Sequence, residues 1–576
     1  MRGVACLVGL VSVAGCAPRK PAPPAPATAY RWVSPRPQGN SLARVWVDGD
    51  HVVAVGESGT ILVSSDGGAS FAQQASGTSE RLTGVAGDRG GMVVVGAHGT
   101  ILASTNGATW VAEHSPTTED LEAVYANGHG RIFAAGAGGT IIASTDGGAA
   151  WYPLHVPSKA RLRAISGSRS DELYAVGDRG TLLAGEGDAA TWQPRDGGTA
   201  DDFTDVAVTL TGVVVAVGGS TIARSTDRGR TFASSRPPGG ATLVAVAAAG
   251  PEVVTVGALG AILRSSDDGA SFAALAGPTD ATLSGVAMAG GITAAVGTFG
   301  EIVIGRGGAL RSATSAPRAL LLGVAGSDAG FIAVGADGTI VRGGPQGVAP
   351  LASGVAGLLT SVAVAGDEVV VVGAGGTILH GPPSGPLIKQ PSGVERFLSA
   401  VAIAAPGRAI AVGKGGAALA TADRGATWTP VPMPAAADLT GVHADGQLAV
   451  IVGTGGAVFR AEGSAGQTFA AVASGTSSDL LAVGGRGPEI WAVGRGGTAL
   501  RSLDGGKTFA VIQTGVTTDL LGVTVDEAGV VITGDRGTIL AGAGGSLSPV
   551  ASGTTNALTH AWKNIVVGAG GTVLAR

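Results

Sequence analysis

Residues 121–151, LEAVYANGHGRIFAAGAGGTIIASTDGGAAW, hold three short apolar runs separated by Gly-rich turns, then a Ser-Thr-Asp-Gly-Gly turn and a tryptophan that opens a fourth run. Short apolar runs bounded by turn residues read as strands, so the stretch predicts a four-stranded meander. Its landmarks return at intervals close to forty residues along nearly the whole chain of 576. Self-similarity at such a period is the signature of a repeat architecture.

The innermost strand of each unit opens with an apolar residue followed three positions later by Val, Ile or Ala. These leaders are Leu42, Leu82, Leu121, Leu162, Phe203, Leu243, Leu283, Leu321, Leu359, Leu398, Leu439, Leu480, Leu520 and Leu558. A second strand ends in glycine about fourteen residues after most leaders, from Gly56 to Gly534, and sooner, at Gly568, in the last unit. A two-residue hairpin turn is expected to follow it. The fourth strand opens eleven positions before the next leader, as at Phe71, Trp110, Trp151 and Leu310, with Trp32 one residue closer. The chain thus begins on a fourth strand and ends, at GTVLAR, after a third, an offset that lets a ring close without an open edge.

Four-stranded units of about forty residues define an all-β propeller, and fourteen units fit best as two tandem seven-bladed β-propellers. The expected cut lies near Gly308, with rings at residues 30–308 and 309–576. Trp32's strand could complete the seventh blade and Leu310's the fourteenth. A single larger ring, or a ring whose first strand closes the other, are the alternatives.

One hundred glycines point to tight turns, and 37 basic against 42 acidic residues with 4% aromatics disfavour a nucleic-acid partner. Ahead of the repeats, residues 3–15 form an apolar stretch of signal-peptide length, and Val13-Ala14-Gly15-Cys16 resembles the lipobox of bacterial lipoproteins. That resemblance implies a signal peptide at residues 1–15 and a lipid on Cys16, the membrane being met through this N-terminal lipid only. Ala17 stands where Asp is the usual inner-membrane retention signal, which favours the outer membrane. Residues 16–29 read as a Pro/Ala-rich tether.

Six units carry Ser/Thr-x-Asp-x-Gly-x-x-aromatic between the third and fourth strands, with Asp66, Asp146, Asp227, Asp267, Asp423 and Asp504 at the acidic position. A short carboxylate there can accept backbone N–H groups of its own turn. The motif is similar to the Asp-box, or bacterial neuraminidase repeat, found in sialidases, xyloglucan-degrading hydrolases, sortilin-type receptors and, with the most similar compact repeats, the photosystem II assembly factor family. The resemblance implies a propeller whose box aspartates are structural. Twice the repeat count and a lipoprotein signal keep a photosynthetic role from being carried over.

Two functions compete: a non-enzymatic protein-binding scaffold of the cell envelope, and a glycoside hydrolase of the tandem-propeller xyloglucanase or sialidase type. The four tyrosines lack a sialidase-like context, and units of 38 to 41 residues leave little material for a sugar cleft, which favours the scaffold. No cofactor signature is present, and the eight histidines, without metal-ligand spacing, read as surface or turn residues. Arg224, Arg264, Arg342, Arg460 and Arg501, just before the Asp turn, read as solvated strand ends rather than a basic arc. The candidate binding face is that of the turns joining strands two and three, together with the loops joining four to one; Asp178, Arg179, Lys414, Arg495, Asp535 and Arg536 stand on those turns where most neighbouring blades offer Ala, Gly or Thr.

Overall fold

Each repeat folds into one antiparallel four-stranded sheet, and fourteen such blades are formed. The computed structural model describes residues 30–576 other than 89–90, 169–171, 187–190, 315–318, 328–329, 345–346, 447 and 464–467. The signal peptide, Cys16 and the tether lie outside the described residues. In blade 3 the strands are Leu121–Ala126, Ile132–Gly136, Ile141–Ser144 and Tyr152–Pro153, paired in chain order. The second strand, IFAAG, is buried along its whole length, because neighbouring blades cover both faces of the sheet. One apolar cluster joins Ala86, Val93 and Val95 of blade 2 to Val124, Ile132, Ala134 and Trp151 of blade 3. The core is therefore a set of inter-blade layers. Strands buried on both sides read as continuous apolar runs.

The three-residue spacing of Leu121 and Val124 breaks the two-residue period of a strand, and a β-bulge explains it. Leu121 faces Gly136 across the ladder and Ala123 faces Ala135, leaving Glu122 as the extra residue. The same shift recurs in thirteen of the fourteen inner strands, blade 5 excepted. A bulge restores the buried side and turns the residue after the leader toward the ring centre. The glycine ending the second strand is a matter of space, since a Cβ on Gly136 would lie 2.0 Å from the Asp120 carbonyl oxygen.

The expected two-residue turn between strands two and three is found only in blade 5, where Gly218 pairs directly with Thr221. Elsewhere a three-residue 3-10 turn intervenes, such as Glu57–Gly59. The wider turn lets Gly59 N–H donate to the Glu80 carbonyl in the connection leaving the same blade, at 2.9 Å. A hairpin too tight to reach that carbonyl would leave a buried donor unpaired.

Two rings of seven close separately. Blade 1 packs on blade 7 through a cluster joining Leu42, Val45 and Val52 to Ile292, Ala294 and Ile304. Blade 8 packs on blade 14 through Leu321, Val324 and Phe331 with Ile565 and Val567. Thr559 Oγ1 donates to the Leu321 carbonyl across that closure at 2.7 Å, as Thr440 does to Leu480 at 2.6 Å between ordinary neighbours.

The strands that complete the rings correct the expected assignment and follow the alternative in which the first strand closes the other ring. Arg31–Ser34, with Trp32, pairs with Val573–Ala575 and completes blade 14, not blade 7. Ala309–Ser312, with Leu310, pairs with Ile302–Arg306 and completes blade 7, not blade 14. The boundary therefore falls after Ser312 rather than at Gly308, and the second ring takes in residues 31–34. The reason is chain length: Gly307 and Gly308, both at positive φ, make a turn with no slack to leave the blade. Residues 35–41, by contrast, span from one ring to the other. Along this buried link, Asn40 Nδ2 donates to Thr60 Oγ1 of the first ring and to the Gly553 carbonyl of the second, at 3.0 and 2.9 Å.

Candidate functional site

Hydrogen bonds sort the loops into two faces. The 3-10 turns lie with the connections between blades, as Gly59 does with Glu80, while the Asp turns lie with the first hairpin, Gly67 N–H donating to the Asp50 carbonyl. The six candidate binding residues all belong to the first of these faces. Asp178 and Arg179 sit on blade 4 of the first ring, and Lys414, Arg495, Asp535 and Arg536 on blades 10, 12 and 13 of the second. The structure brings the last four onto one ring and leaves the first two on the other.

Their backbone is pinned by a device the sequence reading missed. The Asp directly before several leaders accepts the central N–H of the preceding blade's 3-10 turn. Asp202 Oδ1 accepts from Arg179 at 2.8 Å, Asp438 from Gly415 at 2.7 Å and Asp519 from Gly496 at 2.9 Å. Asp-Leu at the start of a unit was the available signal. Among the side chains, Arg163 Nε donates to Asp178 Oδ1 at 2.5 Å, and Arg495 bridges Asp479 and Asp519, each at 3.2 Å. Lys414 Nζ lies 5.3 Å from the centre of the Phe397 ring. Arg179 and Arg536 are exposed, at φ of 57° and 55°.

The Asp turns share one geometry. In blade 1 Ser64 Oγ–H donates to Asp66 Oδ1 at 2.7 Å and accepts Gly68 N–H at 2.8 Å, while Ser70 donates N–H and O–H to the two carboxylate oxygens. Hydrogen bonds led by the side-chain hydroxyl of Thr427 hold the Asp423 carboxyl down to about 2, and Asp66, Asp227, Asp267 and Asp504 are held lower by equivalent donors. Because the folded-state values are depressed, this stabilisation is complete above the ordinary range near 4 and is lost as pH falls through about 2. Blade 2 uses the neutral Asn106 instead, whose Oδ1 accepts from Ala108 and Thr109 N–H, both at 2.9 Å. Asp146→Ala removes acceptors for Ser144 O–H and for Ala149 and Ala150 N–H. We expect a loss of about 1–2 kcal/mol for that variant, read as a lower melting temperature at pH 7. Asp146→Asn should recover most of it, and an unchanged melt for Asp146→Ala would remove the structural role.

Four of the five arginines before these turns are not solvated ends. Arg224 Nε donates to the Asp268 carbonyl of the next blade's Asp turn at 2.8 Å, and Arg460 Nε to the Gly505 carbonyl at 2.6 Å. Arg264 pairs with Glu252, and Arg501 Nε with Glu489 Oε1 at 2.8 Å. Only Arg342 of the five is exposed. The histidine reading also needs correction at three positions. His380 is half-buried 3.5 Å from Glu368, and His443 and His560 line the channel of the second ring.

The two channels differ in chemistry. In the first ring, Arg44 of blade 1 reaches across to Asp205 of blade 5 at 3.5 Å and donates to the Ser284 carbonyl at 2.9 Å. Burial pushes the Asp205 carboxyl up, partly offset by Arg44. At the mouth on the 3-10 turn face lies a cavity of about 240 Å³, whose lining includes Glu57, Arg81, Glu122 and Arg163. The opposite mouth is a cup of about 920 Å³ holding Trp46 and Tyr125. Each ring lies against a glycine of the following blade, where a Cβ on Gly87 or Gly167 would come within 2.9 Å of it. Trp562 over Gly326 and His443 over Gly485 repeat this arrangement in the second ring. An aromatic or His four residues after a leader, with Gly five after the next leader, was legible but unread. Among the described residues no group of three or more His, Cys, Asp and Glu is placed to hold a metal ion.

No protein-family model matches the sequence, and no curated protein matches it. Solved structures do match in fold. The Niastella koreensis GH74 enzyme is 12% identical with a TM-score of 0.61, covering 95% of this chain and 99% of its own. An ancestral GH74 enzyme is 13% identical with a TM-score of 0.65, covering 96% and 99%. YCF48 bound to a D1 peptide is 19% identical with a TM-score of 0.41, covering 49% of this chain and 96% of its own. This chain therefore shares its tandem propeller architecture with GH74 enzymes.

Proposed function

We propose that the chain is a non-enzymatic binding scaffold of the cell envelope, held at the outer membrane by a lipid on Cys16, and that its partner is a protein. The observation that supports this reading is the rigid display, on equivalent turns, of charged side chains that most neighbouring blades lack. Arg179, Lys414, Arg495 and Arg536 stand on turns of one geometry, several of them pinned by an Asp of the next blade. Side chains on a fixed backbone lose little conformational entropy on docking.

The test compares two charge-reversal sets by capture of envelope proteins and retitration of the purified captured protein. Reversing Arg179, Lys414, Arg495 and Arg536 to Glu should weaken the partner at least about tenfold, the size expected when several interfacial charges are inverted. Reversing the exposed Arg230, Arg424 and Lys507 on the Asp turn face should leave it within about twofold. The opposite outcome places binding on the Asp turn face. Release of reducing ends from xyloglucan by the purified chain would replace the scaffold reading with the hydrolase one.

A further inference from the structure

Where an Asp turn is present it roofs the preceding blade. A Cβ on Gly148 would lie 2.8 Å from Val93, one on Gly269 3.0 Å from Val215 and one on Gly506 3.0 Å from Val450. Each of these valines stands three residues before the glycine that ends its second strand. Blades 7 and 13 have no Asp turn: their third and fourth strands are joined through Gly307 and Gly308 alone, and through Gly544 and Gly545 alone. The roofed position in the blades before them, Val254 of blade 6 and Trp491 of blade 12, is therefore left without its cover.

Blade 12 fills the gap from within. Trp491 is 0% exposed and packs in one cluster with Ile512 of its own blade and with Val525, Val530 and Leu547 of blade 13. Its Nε1–H donates to Glu489 Oε1 at 2.9 Å. Arg501 donates to the same oxygen at 2.8 Å, and its guanidinium lies 5.5 Å from the centre of the indole ring. The ring thus has apolar walls, a carboxylate for its N–H and a cation over its face, the three interactions that an indole can make.

Blade 6 keeps this frame and lacks the ring. Glu252 and Arg264 form the equivalent ion pair, and each arginine rests on the second glycine of the next blade's short turn: a Cβ on Gly308 would lie 2.9 Å from Arg264 Nη1, and one on Gly545 2.9 Å from Arg501 Nη1. Leu275, Met288, Thr293 and Leu310 stand at the positions of Ile512, Val525, Val530 and Leu547. With Val254, Glu252 and Arg264 they line a cavity of about 340 Å³. That volume suits a small molecule, since such sites span about 300–1,000 Å³ and combine apolar walls with a few placed polar groups.

We propose that this pocket between blades 6 and 7 binds a small flat aromatic molecule carrying an N–H donor, its ring lying where the Trp491 ring lies in blade 12 and its N–H directed to Glu252. The rim includes Gly291, Gly307 and Gly308, at the hairpin ends of the Asp turn face. The site lies apart from the 3-10 turn face and does not depend on the protein partner.

The experiment uses residues 30–576, which contain every strand of both rings, in equilibrium dialysis against indole and against indene, a fused ring of the same shape without the N–H. Indole should bind saturably at one site per chain, at least about threefold more tightly than indene, the difference being one hydrogen bond to a half-buried carboxylate. Val254→Trp supplies the missing ring from the chain itself and should weaken added indole by at least about tenfold, as expected when a site is filled. Glu252→Leu should weaken indole at least about threefold and leave indene within about twofold. Absence of saturable binding, equal affinity of the parent for the two compounds, or unchanged affinity in a Val254→Trp variant that melts like the parent overturns the site. If Val254→Trp fails to fold, Glu252→Leu decides, and equal effects on both compounds overturn the proposal.

Discussion

Removing residues 30–34 should unfold the second ring selectively while the first ring keeps its melting transition. The deletion unpairs Val573–Ala575 and takes Tyr30, which is 4% exposed, from a cluster with Ile539, Leu558, Ala561, Val566 and Leu574. It also takes Trp32 and Val33 from the layers on either side. Loss of two packed aromatics costs about 3–5 kcal/mol each, so the second ring should lose more than about 5 kcal/mol. The exposed third strand of blade 14 becomes an unpaired edge, and an open edge invites pairing between chains. Calorimetry should resolve a lowered second-ring transition beside an unchanged one. Limited proteolysis should cut first within residues 540–576. Loss of the first-ring transition instead would return this strand to blade 7, and an unchanged scan would mean that the added strand contributes little.

Cys16→Ser should move the protein from the membrane fraction to the soluble fraction. The expected attachment is the lipid that the lipobox-like residues 13–16 would direct; among the described residues no helix is long and apolar enough to cross a membrane. Acyl chains contribute about 0.8 kcal/mol per buried methylene, and two or more chains hold a protein stably where one does not. The expected effect is therefore nearly complete release, measured by fractionation after a high-salt wash. Retention of the variant in the washed membrane would assign the attachment to the folded body. A readout of mass for the wild-type N-terminal peptide should show the acyl groups directly.

The sequence by itself determined the fourteen units, the strand order within each blade and the position of the Asp turns. Those features are local. A buried strand must be apolar, the glycine ending it must clear one carbonyl, and Ser64, Asp66 and Ser70 meet because they share a turn. The face carrying Asp178, Arg179, Lys414, Arg495, Asp535 and Arg536 was legible for the same reason, since turn position follows from place in the repeat.

What the tertiary structure decided is how units meet. Outer strands such as Val111–Ala112 and Ala273–Ala274 are short and exposed and resemble one another, so pattern alone could not tell which blade Trp32 or Leu310 completes. The length of the connecting chain settled it, two glycines against seven residues. The bond from Arg224 to the next Asp turn, the seat of Trp46 on Gly87, and the pairing of Arg44 with Asp205 likewise join different blades. A repeat encodes its own sheet through short-range sterics and hydrophobic period. The chemistry of each channel arises only where seven inner strands converge, and that convergence is a property of the closed ring.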